Sequence, residues 1–198
     1  ATASFAASAV LGGSGLAAIS KVKDKRDYFI AAIPLIFGIQ QFLEGLVWLT
    51  LGQGILSQRL AYGFLFFAFL LWPVYIPLAV LGHERSPSRK RLLRYLIFFG
   101  SIVSFYLLVL LFTQTLDVDL LGNRINYNID APFGLPGVMI YVAVTMGALL
   151  MSTSRFIHWL GALSLLSAAI AWYWYEATFT SVWCFFAAVL SFVIVLYF

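Results

Sequence analysis

Seven runs of apolar residues, most close to twenty long, divide this chain: roughly 3–20, 28–51, 60–82, 92–113, 136–153, 156–174 and 180–198. A helix rises about 1.5 Å per residue, so ~20 such residues cross the hydrocarbon core of a bilayer. A soluble packing does not accommodate them. The 198 residues are 63% hydrophobic and only 10% charged, with a mean hydropathy of +0.97. That leaves too few polar groups to cover a soluble core of this size. The expected fold is an all-α bundle of seven transmembrane helices, one domain over 1–198, with the lipid bilayer as its solvent. Span five is short. Span one is rich in Ala, Gly and Ser, which suits close helix packing.

The loops set the orientation. Lys21, Lys23, Lys25 and Arg26 follow span one, Arg85, Arg89, Lys90, Arg91 and Arg94 lie around the junction of spans three and four, and Arg155 lies between spans five and six. With seven spans these all fall on one side, and only Arg59 and Arg124 fall on the other. The positive-inside rule then puts the N-terminus outside and the C-terminus in the cytoplasm. The net charge of +4 thus reads as topology and lipid-headgroup contact, with no nucleic-acid partner. Ala1 is not an initiating methionine, which points to a processed or longer parent chain. The first run is not a typical secretory signal, because its basic cluster follows the apolar stretch.

The outer side carries one long loop, 114–135, with Asp117, Asp119, Arg124 and Asp130. Gly122 to Asp130 reads as a turn followed by ordered structure. Asp130 is placed to cap span five, and Pro132 and Pro136 fit a helix entrance. The simplest role for the loop is a lid over the bundle. Outer-end aromatics (Trp48, Trp172, Tyr173, Trp174, Tyr175 and Trp183) read as an interfacial belt.

One acid lies well inside a span. Glu44 is the seventeenth residue of span two, about 24 Å from the cytoplasmic end by helix rise, hence in the outer half of the membrane. Gln40, Glu44 and Trp48 share a face at i, i+4 and i+8, with Gln41 on a neighbouring stripe. An ionisable group at that depth is expensive and needs a role or a partner. It is either part of a ligand, ion or proton site or an interhelical hydrogen bond holding the bundle together. Pro34, and Pro73 and Pro77 within Trp72-Pro73-Val74-Tyr75-Ile76-Pro77, remove backbone donors and kink helices, which frees carbonyls and favours a cavity. Span seven begins Thr180-Ser181-Val182-Trp183-Cys184, at a depth similar to Glu44, with Glu176 just outside. The candidate ligand-binding set is therefore Gln40, Gln41, Glu44, Trp48, Trp72, Glu176, Ser181, Trp183 and Cys184. Depth alone groups them; contact between spans two and seven is left open.

Several chemistries fail on residue inventory. A retinal protein needs a lysine within a span, and Lys21, Lys23, Lys25 and Lys90 all lie in loops. Haem or a membrane metallohydrolase wants paired histidines, and only His83 and His158 exist, both at cytoplasmic ends. The lone Cys184 makes neither an internal disulfide nor a cysteine zinc site. Gly12-Gly13-Ser14-Gly15 matches the G-x-S-G string of intramembrane serine proteases, but without the histidine arrangement. No metal or cofactor can be named.

Four strings carry a resemblance: Thr2-Ala3-Ser4-Phe5-Ala6; Ile33-Pro34-Leu35 with Gln40-Gln41-Phe42-Leu43-Glu44-Gly45-Leu46-Val47-Trp48; Trp72-Pro73-Val74; and Ser181-Val182-Trp183-Cys184-Phe185-Phe186-Ala187-Ala188. Over nearly its whole length the chain resembles a bacterial family of small multi-span membrane proteins classed as a domain of unknown function. The resemblance implies a bacterial inner-membrane location. It also implies a short Met-Cys-Phe-Ser piece ahead of Ala1, whose cysteine would lie near Cys184. It supplies no activity. The leading expectation is a non-enzymatic protein that binds or passes a small ligand, ion or proton at an outward-facing pocket around Glu44. The alternatives are an accessory subunit of a larger membrane complex, or an intramembrane enzyme using Glu44 or Cys184 on a lipid or peptide.

Overall fold

The computed structural model describes residues 1–129 and 134–198. Asp130 and Pro132, expected to shape the entrance of span five, lie outside them. The helices run α1 (Thr2–Lys21), α2 (Tyr28–Ala31), α3 (Ile33–Thr50), α4 (Ile55–Leu65), α5 (Trp72–His83) and α6 (Pro87–Thr113). After the strands β1 (Asp117–Leu121) and β2 (Arg124–Asn128) come α7 (Gly134–Leu150), α8 (Arg155–Tyr175) and α9 (Phe179–Tyr197). Five helical runs are long and apolar enough to cross a membrane: Thr2–Lys21, Lys25–Thr50, Ile55–His83, Pro87–Thr113 and Arg155–Tyr197; Pro136–Leu150 is a shorter apolar helix. The last long run is two helices. The chain breaks at Tyr175 (φ −139°, ψ 37°) and turns through a 3₁₀ turn, Glu176–Thr178. Phe156 then stacks on Tyr197 at 4.2 Å, so the start of α8 lies beside the end of α9 in an antiparallel hairpin.

The all-α expectation meets one exception. The loop after α6 holds an antiparallel hairpin in which Asp117 pairs Asn128 and Leu121 pairs Arg124. Its two-residue turn is Gly122-Asn123, with Gly122 at φ +62°, a value that suits glycine and a twisted hairpin. The alternation faces Ile125 and Tyr127 inward: Ile125 is fully buried, and Tyr127 stacks on Phe64 at 4.8 Å. Periodicity in the sequence missed these strands because each is only five residues long and the first is mostly exposed.

Loop contacts sort the two ends of the bundle. His83 Nδ1 lies 2.6 Å from Asp27 Oδ1, which ties the turn before α2 to the end of α5. Glu84 accepts from the Thr153 N–H (2.8 Å) and hydroxyl (2.7 Å), which ties the α5–α6 loop to the α7–α8 loop. The three basic loops therefore meet at one end. At the other, Gln58 Nε2 donates to the Leu116 carbonyl, and the Arg124 guanidinium lies over the Tyr175 ring. Between the ends, α6 presents Phe98, Phe99, Ile102, Phe105 and Phe112 outward, all at least half exposed. An apolar face of that kind suits lipid and not water.

Glu84 is 1% exposed and also accepts from the N–H groups of Arg85 and Ser86. Burial pushes its carboxyl up, but the Ser86, Thr153 and Arg85 donors outweigh that and hold it at about 2. The folded value lies below the ordinary 4.5, so its stabilisation is full above that pH and is lost as pH falls through about 2. A shift of this size corresponds to about 3 kcal/mol. Glu84→Gln should lower the melting temperature at pH 7 and flatten its decline between pH 5 and pH 3. A melting profile as steep as wild type in that window would contradict this role.

Candidate functional site

The packing of α1 on α3 decides what α3 buries. A side-chain carbon at Gly15 would meet the Leu35 backbone at 2.6 Å, and one at Gly38 the Gly12 backbone at 2.9 Å. One at Gly45 would meet the Phe5 ring at 2.7 Å. Small residues on both helices thus let the backbones approach, as in close transmembrane pairs. With α9 also packed against α3, the polar residues of α3 have no route to solvent. Gln40 and Gln41 are fully buried and Glu44 is 2% exposed.

Their partners come from three other helices. Ser181 Oγ, in the first turn of α9, donates to Glu44 Oε1 at 2.6 Å. Spans two and seven of the sequence reading are therefore in direct contact. Trp72 Nε1 donates to Gln40 Oε1 at 2.8 Å, and its ring stacks on Phe37 at 4.1 Å. Ser4 of α1 and Gln41 face the Glu44 carboxylate. Cys184, a free thiol one turn after Ser181, is buried beside Gln40. Yet Gln41 Oε1, Trp183 Nε1 and the Tyr127 hydroxyl have no hydrogen-bond partner. Buried polar atoms are ordinarily paired, so this concentration of orphans is unusual for a purely structural core.

The α4–α5 junction adds a second feature. Phe66–Leu71 is a π-helical turn, with the Trp72 N–H bonded to the Phe67 carbonyl. Pro73 and Pro77 supply no N–H to the carbonyls four residues back. Carbonyls of this turn also accept from side chains: Ser104 Oγ donates to Leu70 O, and the Tyr141 hydroxyl to Ala68 O. The wall bowed out here borders a cavity of about 410 Å³ among α6, α7, α9, β2 and the π turn. Its lining is largely apolar and includes Tyr127, Tyr141, Trp183 and Cys184. A smaller void of about 50 Å³, lined by Phe37 and Trp72, lies beyond Tyr141, Trp183 and Cys184, which border both.

Seven of the nine sequence candidates are thus gathered: Gln40, Gln41, Glu44, Trp72, Ser181, Trp183 and Cys184. Glu44 sits behind the cavity wall and not on it. Trp48 is half-buried against the apolar cluster of Val47, Phe64 and Ile125. Glu176 is exposed in the turn between α8 and α9, outside the buried cluster. Ser4, Tyr127 and Tyr141 were not singled out from sequence. Ser4 stood in a run of small residues and Tyr127 in a loop; Tyr141 lay inside an apolar span with no periodic signal. Among the described residues no three His, Cys, Asp or Glu side chains form a metal-binding group.

No curated protein and no solved structure matches this chain. A family model, described as a family of unknown function (DUF6629), matches residues 1–198. Whole-chain coverage makes this protein a member of that family.

Proposed function

We propose that this is an integral membrane protein of seven crossings that holds a small apolar molecule within its bundle. The observation that carries this reading is the cavity of about 410 Å³ whose wall includes buried, unpaired polar groups. That volume falls within the ~300–1,000 Å³ of small-molecule sites, which combine apolar walls with a few polar groups. Glu44 serves as a positioning residue. Through Ser181 it fixes the first turn of α9, which carries Trp183 and Cys184 to the cavity. The meeting of the three basic loops at one end supports a cytoplasmic face there, with the β-hairpin end outside. Binding is favoured over an intramembrane enzyme because Ser181 and Cys184 have no histidine beside them, and the one acid that Ser181 meets, Glu44, stands behind the cavity wall.

Val138 lines the cavity, so Val138→Trp would fill it. Protein purified in mild detergent should carry a bound apolar molecule, identified by native mass spectrometry and organic extraction. The variant should lose it while melting near wild type. Identical extracts from both proteins would overturn the reading.

A further inference from the structure

The lining of the large cavity narrows the class of ligand, an inference that rests on the binding reading above. Three observations bear on it. First, no charged side chain lines the cavity among the described residues. A phosphate or carboxylate headgroup placed there would be desolvated without a countercharge, which is strongly unfavourable. Second, the wall is rich in rings: Phe69, Tyr106, Tyr127, Tyr141, Phe179 and Trp183 all border it. Phe179 stacks on Trp183 at 5.2 Å and Tyr141 meets Trp183 edge-on at 5.6 Å, so the indole is held in a fixed orientation. Third, Trp183 is 6% exposed and its Nε1–H has no partner, as is also true of the Tyr127 hydroxyl. An indole N–H only donates. A buried donor left unpaired is costly, and an acceptor on the ligand would recover that cost.

We infer that the cavity takes a neutral, ring-bearing lipophilic molecule that presents a carbonyl acceptor to Trp183 Nε1–H and the Tyr127 hydroxyl, the chemistry of a quinone or cyclic ketone. The aromatic wall favours a flat ring, the missing cation selects neutrality, and the orphan donors select the carbonyl. Aliphatic hydrocarbon chains satisfy the first condition poorly and the last not at all.

The test compares two probes of one shape. Duroquinone and durene carry the same four methyl groups on a six-membered ring, with and without carbonyls. The fully substituted quinone also offers Cys184 no open ring position for addition. Binding is measured by equilibrium dialysis against the full chain in nanodiscs, with empty nanodiscs subtracted. Duroquinone should bind roughly tenfold more tightly than durene, the worth of one recovered buried donor. Tetramethylbenzoate should not bind. Trp183→Phe should bring the two neutral probes to near parity, and Tyr127→Phe should narrow the gap. Equal binding of duroquinone and durene, abolished by Val138→Trp, would overturn the carbonyl inference and leave the cavity reading standing. Binding of neither, from a protein whose extract still holds an apolar molecule lost in Val138→Trp, would do the same. Should Trp183→Phe fail to fold, the duroquinone-to-durene ratio on the wild-type chain decides the question by itself.

Discussion

Gly100→Ala should be the most damaging single-methyl change in this protein. A carbon added at Gly100 would collide with the Pro73 carbonyl oxygen and sit 2.9 Å from its carbon. Both are backbone atoms of α5, and Val144 closes the site from α7 at 3.2 Å. The approach has a local cause: Pro77 has no N–H, so the Pro73 carbonyl lacks its helical donor and turns toward α6. No rotamer relieves such a clash, so the two helices must separate. Overpacking of a core typically costs 1–3 kcal/mol, and a backbone clash belongs at or above the top of that range. The expected result is a melting temperature lower by roughly 6–12 °C, scaling ~3 kcal/mol to a chain of this length. Reduced monodisperse yield in size-exclusion chromatography should accompany it. Gly147→Ala is the control, since nothing lies within 4 Å of its added carbon. It should melt at or slightly above wild type, as expected for alanine replacing an unconstrained helical glycine. A Gly100→Ala protein as stable as Gly147→Ala would refute the α5–α6 contact.

The second large effect separates two substitutions at Glu44. Glu44→Leu removes the acceptor for Ser181 and leaves Ser4 and Gln41 facing a hydrocarbon. Orphaned buried donors cost about 1–3 kcal/mol. Thermal unfolding in detergent should therefore shift down by roughly 3–10 °C. Glu44→Gln keeps an oxygen where Ser181 donates and nearly the same volume, so it should melt within a few degrees of wild type. Ser181→Ala should reproduce part of the Glu44→Leu loss. Combined with it, the serine change should add little, because the two residues share one bond. Strict additivity in that double-mutant cycle would mean that the 2.6 Å contact carries no coupling. Retention of the proposed apolar molecule supplies an independent readout. If Glu44 acts by holding α9, Glu44→Leu should weaken retention through Trp183 and Cys184 even though the carboxylate does not line the cavity.

The legible and illegible parts of this chain divide by the range of the interactions. Helical spans are written in continuous apolar runs, so those around Phe98–Phe112 or Leu190–Tyr197 are readable with no knowledge of their neighbours. The turn at 176–178 was readable too, although by length and hydropathy alone Arg155–Tyr197 is one run of 43 residues. The sequence marked Glu44, Gln40 and Ser181 by depth, because a polar residue inside a span stands out. It marked the Trp72–Pro77 segment as kinked, because proline lacks a donor. The β-hairpin was not readable as strands. Five-residue strands give too short an alternation, and Gly122 alone suggested only a turn. Glu84 was not singled out, because nothing local announced the Thr153 donors, which lie 69 positions away.

By itself, then, the sequence determined the helical class, the long apolar runs and the unusual polar residue in the second of them. All three follow from local composition and from the cost of placing charge in hydrocarbon. Tertiary structure decided which helix meets Glu44, that Trp72 serves Gln40, and that the carboxylate stands behind a cavity instead of lining it. It also brought Tyr127, from within the 114–135 loop, and Trp183, from α9, to one wall. Those outcomes depend on how closely particular backbones approach: glycine against backbone at Gly15, Gly38 and Gly100, and carbonyls reached by side chains at Ala68 and Leu70. A hydropathy pattern records which residues avoid water, but it carries no information on the distance between two helices that both avoid it.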